Sequence, residues 1–380
     1  MKLQEKIQFH KPITTSREFF KDNVGVKCVH YGDIYKNYSG KTIPSSRIIN
    51  NFANQVSSDK LLYCDSIIVP DVTETVSDWG HFTYIKYDGT PYINGTHAVA
   101  LTCQSEDELK YIFRYLSSNY NRKRLQTLLN GSTVFQISIK DFEHFLLEKY
   151  HESQAEQSHI VDILGTLDDK IENNSKKAEE YEKMIELYFE QLLSEKTNEW
   201  NEQSLLDIAE YTNGLAMQKF RPRGIDHLPV VKIKELSQGR TDSNSEQADV
   251  AIGNKFIIDD GDIVFAWSGT LMVKIWCGGK AGLNQHLFKV TSEKYPKWFV
   301  YLWTKHHLIK FQNIAKGKAV TMGHIKRDDL AKSSAFIPPS NTFAQYDRII
   351  APIYERIVIL QQENRKLMSL KSQYLQRFFG

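Results

Sequence analysis

Several groups of residues in this chain have types and spacings that chemistry could use. Glu106, Asp107, Glu108 and Lys110 combine carboxylates with an amine, as a phosphodiester-cleaving centre would. Their place at the head of an apolar-periodic stretch suits them better to the positive end of a helix dipole. Cys277, Gly278, Gly279 and Lys280 have the composition of a phosphate cradle, yet a glycine pair between two β-rich stretches reads more simply as a turn. Asn284, Gln285 and His286 offer amides and an imidazole, and Asn or Gln can pair bidentately with an adenine edge. A loop-stabilising role for Asn284 fits equally well, because Asn94 stands in a similar context. Arg122, Lys123 and Arg124, and in the other half Lys305, His306, His307 and Lys310, suit either a solvated helix face or contacts to phosphates. No nucleophile, base and orienter converge in the sequence. A GxxxxGK[ST] phosphate loop, a glycine-rich dinucleotide fingerprint, an NPPY-like adenine methylation motif and HExxH are all absent. Cys28, Cys64, Cys103 and Cys277 fall outside any CxxC or Cys/His metal spacing, so they read as reduced, packed thiols.

These side chains must be positioned by a chain of 380 residues, enough for two or three domains. With 41% hydrophobic and 25% charged residues its composition is globular. The start MKLQEKIQFHKPITT has no apolar h-region and no run of about 18 apolar residues occurs, so neither a secretory signal nor a membrane span is expected and a cytoplasmic location is. The formal charge of +2 hides an asymmetry: residues 151–190 hold eleven acids against four lysines, a net of −7, and residues 341–380 hold six bases against three acids, a net of +3. The remaining 300 residues then carry +6, a mild excess compatible with a polyanion partner.

The two charged segments carry the clearest periodicity. Steps of four and three give Ile160, Leu164, Leu167, Ile171, Asn174, Ala178, Tyr181, Ile185, Tyr188 and Leu192. The same steps give Tyr346, Ile350, Ile353, Ile357, Leu360, Asn364, Leu367, Lys371, Tyr374 and Phe378. Each is a coiled-coil seam, and together they predict two long helices packed on each other. Pro352 predicts a kink or a late helix start. Centring the seams antiparallel sets Asn174 opposite Asn364, where two amides could satisfy each other in an apolar stripe. Ile160 to Leu192 spans 33 residues, about 48 Å of helix, or the length of about 14 base pairs of duplex.

The seams belong to a longer repeat at an offset of 186 residues. Phe113, Tyr115 and Leu116 match Phe299, Tyr301 and Leu302; Gly131 and Val134 match Gly317 and Val320; Ile139 and Lys140 match Ile325 and Lys326. Further upstream YINGTHAVALT (92–102) is similar to GLNQHLFKVT (282–291) only after a shift of a few residues. Around these lie mixed elements: strands within 65–72, 97–103 and 261–267, helices over 107–129 and 293–315, and a polar loop over 237–249. The predicted fold is α+β: two mixed α/β domains, internally duplicated, separated by two long helices forming an antiparallel coiled coil. The boundaries are 1–148, 149–196, 197–338 and 339–380.

The helix QSHIVDILGTLDDKIENNSKKAEEYEKMIELYFEQLL (157–193) resembles the central region of type I restriction-modification specificity subunits. VHYGDI (29–34), LPVVKIKELSQG (228–239), AWSGT (266–270), GLNQHLFKV (282–290) and HIKRDDLAKSSAFIPP (324–339) extend the resemblance over nearly the whole chain, in their order and duplication rather than in any one motif. FEHFLLEKYHE (142–152) departs from the proline-rich approach usual before the central helix. The resemblance implies a non-catalytic DNA-reading subunit with two target recognition domains, each addressing one half of a bipartite, asymmetric site in double-stranded DNA. It implies as partners two methyltransferase subunits and translocase-nuclease subunits. S-adenosylmethionine, ATP and Mg belong to those partners, with no cofactor or metal in this chain and no membrane partner. A stand-alone DNA-modifying enzyme and a coiled-coil adaptor without DNA affinity are the competing readings.

If the two domains read different half-sites, residues they share serve the scaffold or the phosphates. Gly131 and Gly317 then shape loops close to the DNA backbone, with Ser132, Thr133, Lys316 and Lys318 as phosphate ligands. Base readers belong where the halves diverge, within 11–90 and 220–288, where Lys36, Asn37, Tyr38, Lys41, Arg221, Arg223, Arg240 and Trp267 are the candidates.

Overall fold

The computed structural model describes residues 7–21, 23–147, 153–317 and 323–380. Contacts group the chain into two compact units. The first comprises residues 1–169 and 368–380, the second residues 170–367.

The first unit is built on a five-stranded sheet in the order Ile7–His10, Ala98–Cys103, Ser66–Pro70, Thr83–Lys86, Thr42–Pro44. All its pairings are antiparallel except the last. The second unit has an antiparallel sheet in the order Glu210–Asn213, Leu287–Thr291, Asp262–Ala266, Met272–Trp276. Strand for strand these are the same sheet, with one more edge strand in the first unit. A smaller sheet repeats as well. Val26–Val29 runs parallel to Tyr92–Asn94 in one unit and His227–Val231 parallel to Ala281–Leu283 in the other, each with an antiparallel neighbour on its far side. After each parallel strand the chain enters a short helix, capped alike: the His30 amide donates to Asp33 Oδ2 at 3.2 Å and the Lys232 amide to Glu235 Oε2 at 3.1 Å. VHYGDI and VVKIKEL are thus the same device, a carboxylate three residues into the turn satisfying an orphan donor.

Each sheet is covered by a helical pair. The stretch expected as one helix over 107–129 is two, Glu106–Ser117 and Asn119–Gln126, divided where Ser118 turns extended and its side chain caps the Asn121 amide at 3.2 Å. The stretch over 293–315 likewise divides into Lys297–His306 and Leu308–Lys316. Their apolar faces fill the cores: Phe113, Tyr115 and Leu116 in the first unit, Phe299, Tyr301 and Leu302 at the repeat-related positions in the second. Glu106 and Asp107 sit in the first turn of a helix capped by Ser105, and Glu106 pairs with Lys110 at 2.6 Å, the structural role expected of them. The Cys277–Lys280 stretch is a turn between strands, its Gly279 amide donating to Asp260 Oδ1 at 2.8 Å.

The central helix is Gln154–Ser194 and the last helix Ser340–Phe379. The last helix begins well before Pro352, so the expected late start is not found; Pro352 lies inside it on an exposed position. No seam residue of either helix is exposed. The pairing is antiparallel. In the second unit Asn174 lies by Glu363 and Glu195 by Tyr346; in the first, Asp168 accepts from Lys371 at 2.5 Å and also meets Arg114. The expected register, with Asn174 level with Asn364, is therefore met, but the amides do not bond each other. Asn174 Nδ2 donates to Glu363 Oε2 at 3.0 Å, while Asn364 Nδ2 donates to Ser175 Oγ at 3.0 Å and to the Ile171 carbonyl at 3.2 Å. A seam position has backbone carbonyls and flanking polar groups within reach as well as its opposite number, and these win. Among the described residues, no helix is long and apolar enough to cross a membrane.

Candidate nucleic-acid interface

In the second unit three segments meet at the end of the sheet. The strand Asp262–Ala266 runs into Trp267, whose amide donates to the His286 carbonyl at 3.3 Å and whose carbonyl accepts from the Ile325 amide at 3.2 Å. The Gly269 amide closes the node on the Gly323 carbonyl at 3.1 Å. The side chains held there are polar and aromatic. Trp267 Nε1 donates to Asn213 Oδ1 at 3.0 Å, and its ring lies 5.7 Å from Phe288 and 6.1 Å from His286. The His286 imidazole is held at both nitrogens, Gln285 Nε2 standing 3.4 Å from Nε2 and Ser268 Oγ 2.9 Å from Nδ1. With the amide donating to Nε2, the proton sits on Nδ1 and points to Ser268. Ser268 and His286 have the spacing of a nucleophile and its base, but the second nitrogen faces a carboxamide, which cannot stabilise an imidazolium as a carboxylate does. What the node offers is hydrogen-bond donors and acceptors beside a half-buried ring. Asn284 is internal: buried, its Oδ1 accepts from the His286 amide at 3.3 Å, shaping the loop that presents Gln285 and His286. Asn94 is internal too, its Nδ2 reaching the carbonyls of His10, Lys11 and Ala98.

The first unit has the same backbone node with other side chains. The Asp71 amide donates to the His97 carbonyl at 3.2 Å, and the Ile137 amide to the Asp71 carbonyl at 3.3 Å. These bonds correspond one for one to those of Trp267, His286 and Ile325. Here His97 Nδ1 meets Asp71 Oδ1 at 3.0 Å, with the side chains 47% and 30% exposed, and Tyr31 packs edge-on against the imidazole at 5.6 Å. His97 has φ +58°, a left-handed backbone that a residue with a Cβ adopts at a cost. The sequence reading missed this pair because the 186-residue frame does not reach it. The signal was present in the shifted match of YINGTHAVALT with GLNQHLFKVT, where one extra residue after Asn94 brings His97 onto His286.

The duplicated sheet and node coincide with a family assignment. The profile described as type I restriction modification DNA specificity domain matches twice, over residues 18–183 and 197–369. The chain belongs to this family. It is 26% identical over 183 residues to the EcoBI type I restriction enzyme specificity subunit of Escherichia coli, the match covering 47% of this chain and 36% of that protein. It is 22% identical over 305 residues to the MjaIX specificity subunit of Methanocaldococcus jannaschii, covering 71% and 68%. This chain thus spans about a third of the first relative and about two thirds of the second. Its fold is like that of the type I restriction-modification S subunit from M. genitalium, with a TM-score of 0.56 at 14% identity over 100% of this chain and 95% of the other.

Other candidate positions in this specificity-domain chain are dispersed. Arg122 is half-buried, its guanidinium on His81 Nε2 and Asn119 Oδ1, both at 2.9 Å, and packed against Gly80, so it serves the scaffold. Arg124 lies over the Phe145 ring at 5.1 Å in a cleft of about 620 Å³, with Lys123 on the rim. Tyr38 is buried and accepts the Ile49 amide at 2.7 Å through its hydroxyl, a core role. Lys36, Asn37 and Lys41 are exposed, and Lys41 Nζ donates to the Asn37 carbonyl at 2.9 Å. Ser132, Thr133, Arg221, Arg223, Arg240 and Lys316 are exposed; Lys318 lies outside the described residues. His306 is exposed and His307 half-buried, and partial desolvation lowers both below the ordinary histidine pKa. Gly131 has φ +134° and a Cβ there would stand 2.1 Å from the Val134 carbonyl oxygen, whereas Gly317 ends a helix at φ −67°. The two glycines thus differ in backbone conformation, and the loop that follows Gly317 lies outside the described residues.

Proposed function

We propose that this chain is the DNA specificity subunit of a type I restriction-modification complex and has no catalytic activity of its own. Each unit reads one half of a bipartite site in double-stranded DNA, and the two long helices set the unread spacer and dock two methyltransferase subunits. S-adenosylmethionine would be held by those subunits, and ATP and Mg by translocase-nuclease subunits joining for restriction. The observation that carries this reading is the duplication: the same sheet order, capped turn and three-segment node occur twice in one chain whose two halves both match the specificity-domain profile. A single chain that reads an asymmetric sequence needs two similar frames with different side chains, and this one has them. Among the described residues no cluster of His, Cys, Asp or Glu is placed to hold a metal.

The test is co-expression of the full chain with a type I methyltransferase subunit, followed by methylome sequencing. A methylated bipartite adenine site that disappears when this chain is omitted is the expected result. Methyl transfer by the purified chain alone, or methylation that does not depend on it, overturns the reading.

A further inference from the structure

We propose that the three-segment node is the base-reading position of each unit, with Asp71 and His97 as the specificity-determining pair of the first unit and Gln285, with the Trp267 and His286 rings around it, as their counterpart in the second. This rests on the reading of the chain as a specificity subunit and assigns residues to it. The argument begins with the backbone. Asp71, His97 and Ile137 exchange the same hydrogen bonds as Trp267, His286 and Ile325, so the two units hold these positions in the same local frame. Side chains on a shared frame that differ in chemistry are where two half-sites can be told apart.

The chemistry then separates the two. In the first unit the imidazole tautomer that donates Nδ1–H to Asp71 Oδ1 leaves two acceptors, Asp71 Oδ2 and His97 Nε2, on partly exposed side chains. Such a pair suits the amino group that cytosine or adenine presents in the major groove, and rejects the O6 and O4 acceptors of guanine and thymine. In the second unit Gln285 presents a carboxamide, donor and acceptor together, the pattern that pairs bidentately with adenine N6 and N7. His97 supplies a second, independent argument. It occupies a left-handed backbone that glycine would adopt freely, and the imidazole kept there at that cost is 47% exposed, with Asp71 and the Tyr31 ring as its neighbours.

The experiment uses the complex of full chain and methyltransferase subunit, with genome-wide methylation mapping and binding to duplex libraries randomised in one half-site at a time. The variants are Asp71→Asn, His97→Gly and Gln285→Ala. His97→Gly relieves the left-handed backbone but loses the contacts to Asp71 and Tyr31, so the melting temperature of each variant complex is measured alongside. Asp71→Asn and His97→Gly are expected to lower discrimination at one or two adjacent base pairs of one half-site by roughly tenfold to a hundredfold, leaving the other half-site and the spacer unchanged. Gln285→Ala is expected to do the same in the opposite half-site. A wild-type bipartite site that neither first-unit variant alters overturns the assignment alone. So does a variant complex of wild-type melting temperature that binds no library sequence. A wild-type complex that methylates no bipartite site overturns the specificity reading, and this assignment with it.

Discussion

Gly131 and Gly317 occupy one position of the repeat, and the sequence presents them as equals. At Gly131 the positive φ and the 2.1 Å approach to the Val134 carbonyl exclude a side chain; at Gly317, whose φ is negative, a Cβ would meet no atom nearer than 3.6 Å among the described residues. Gly131→Ala should therefore destabilise the protein by more than about 1 kcal/mol, while Gly317→Ala should be neutral or stabilise by up to about 1 kcal/mol; urea denaturation of the two variants decides it, and equal effects would contradict the geometry. Identity of residue type carried the alignment but not the backbone conformation, which neighbours set. Asp88 gives a second case that spacing could not reveal. Its carboxylate accepts from Ser45 Oγ, from the Ser46 hydroxyl and amide, and from the Thr90 amide, which together hold its pKa well below the ordinary range. A carboxyl whose pKa is lower folded than unfolded contributes stability that is present above the unfolded value and lost as pH falls through the folded one. The melting-temperature difference between wild type and Asp88→Asn should be present at neutral pH and shrink below about pH 4; a difference that grows on acidification would contradict it.

At the scale of elements, the seams were legible because a 3.5-residue repeat of apolar side chains leaves no other face to bury. Both the helices and their antiparallel register follow from it. Which atoms the two buried Nδ2 groups donate to was not legible, because a carboxamide on a helix finds carbonyls and side chains at neighbouring levels as readily as its mirror residue. A double-mutant cycle should accordingly place coupling of about 0.5 to 1.5 kcal/mol between Asn364 and Ser175, and less between Asn174 and Asn364. The reverse order would reinstate the amide pair. The last helix is also tied to the second unit's sheet by Arg365, whose guanidinium grips Asp260 at 2.9 and 2.7 Å while the Gly279 amide donates to the same carboxylate. Asp260→Ala should cost about 1.5 to 3 kcal/mol, seen as a lower melting temperature. No periodicity announces this contact, since it joins residues 105 apart in sequence.

For the whole molecule, duplication was visible wherever the repeat is ungapped, from Phe113 onward, and faded upstream, where the offsets become 189 between His97 and His286 and 196 between Asp71 and Trp267. Loops of unequal length hide an equivalence that strand order and hydrogen bonds keep. Exchanging residues 1–148 for those of a homologue should change one half of the methylated sequence and leave the other intact; simultaneous change of both halves in methylome sequencing would contradict modular reading. The composition of the first unit has a further consequence, one of timing. Phe379 is fully buried there, 5.7 Å from the Tyr111 ring and 5.6 Å from that of Tyr115. A ribosome that has delivered residues 1–169 must still make about 200 more before the segment 368–380 arrives, some 10 to 40 s at bacterial elongation rates. The first unit therefore waits with an aromatic socket open while the second is being made. A nonsense codon at Met368 should thus cripple the half of the protein made first, and limited proteolysis of that truncated chain would find residues 1–169 cut before 170–367.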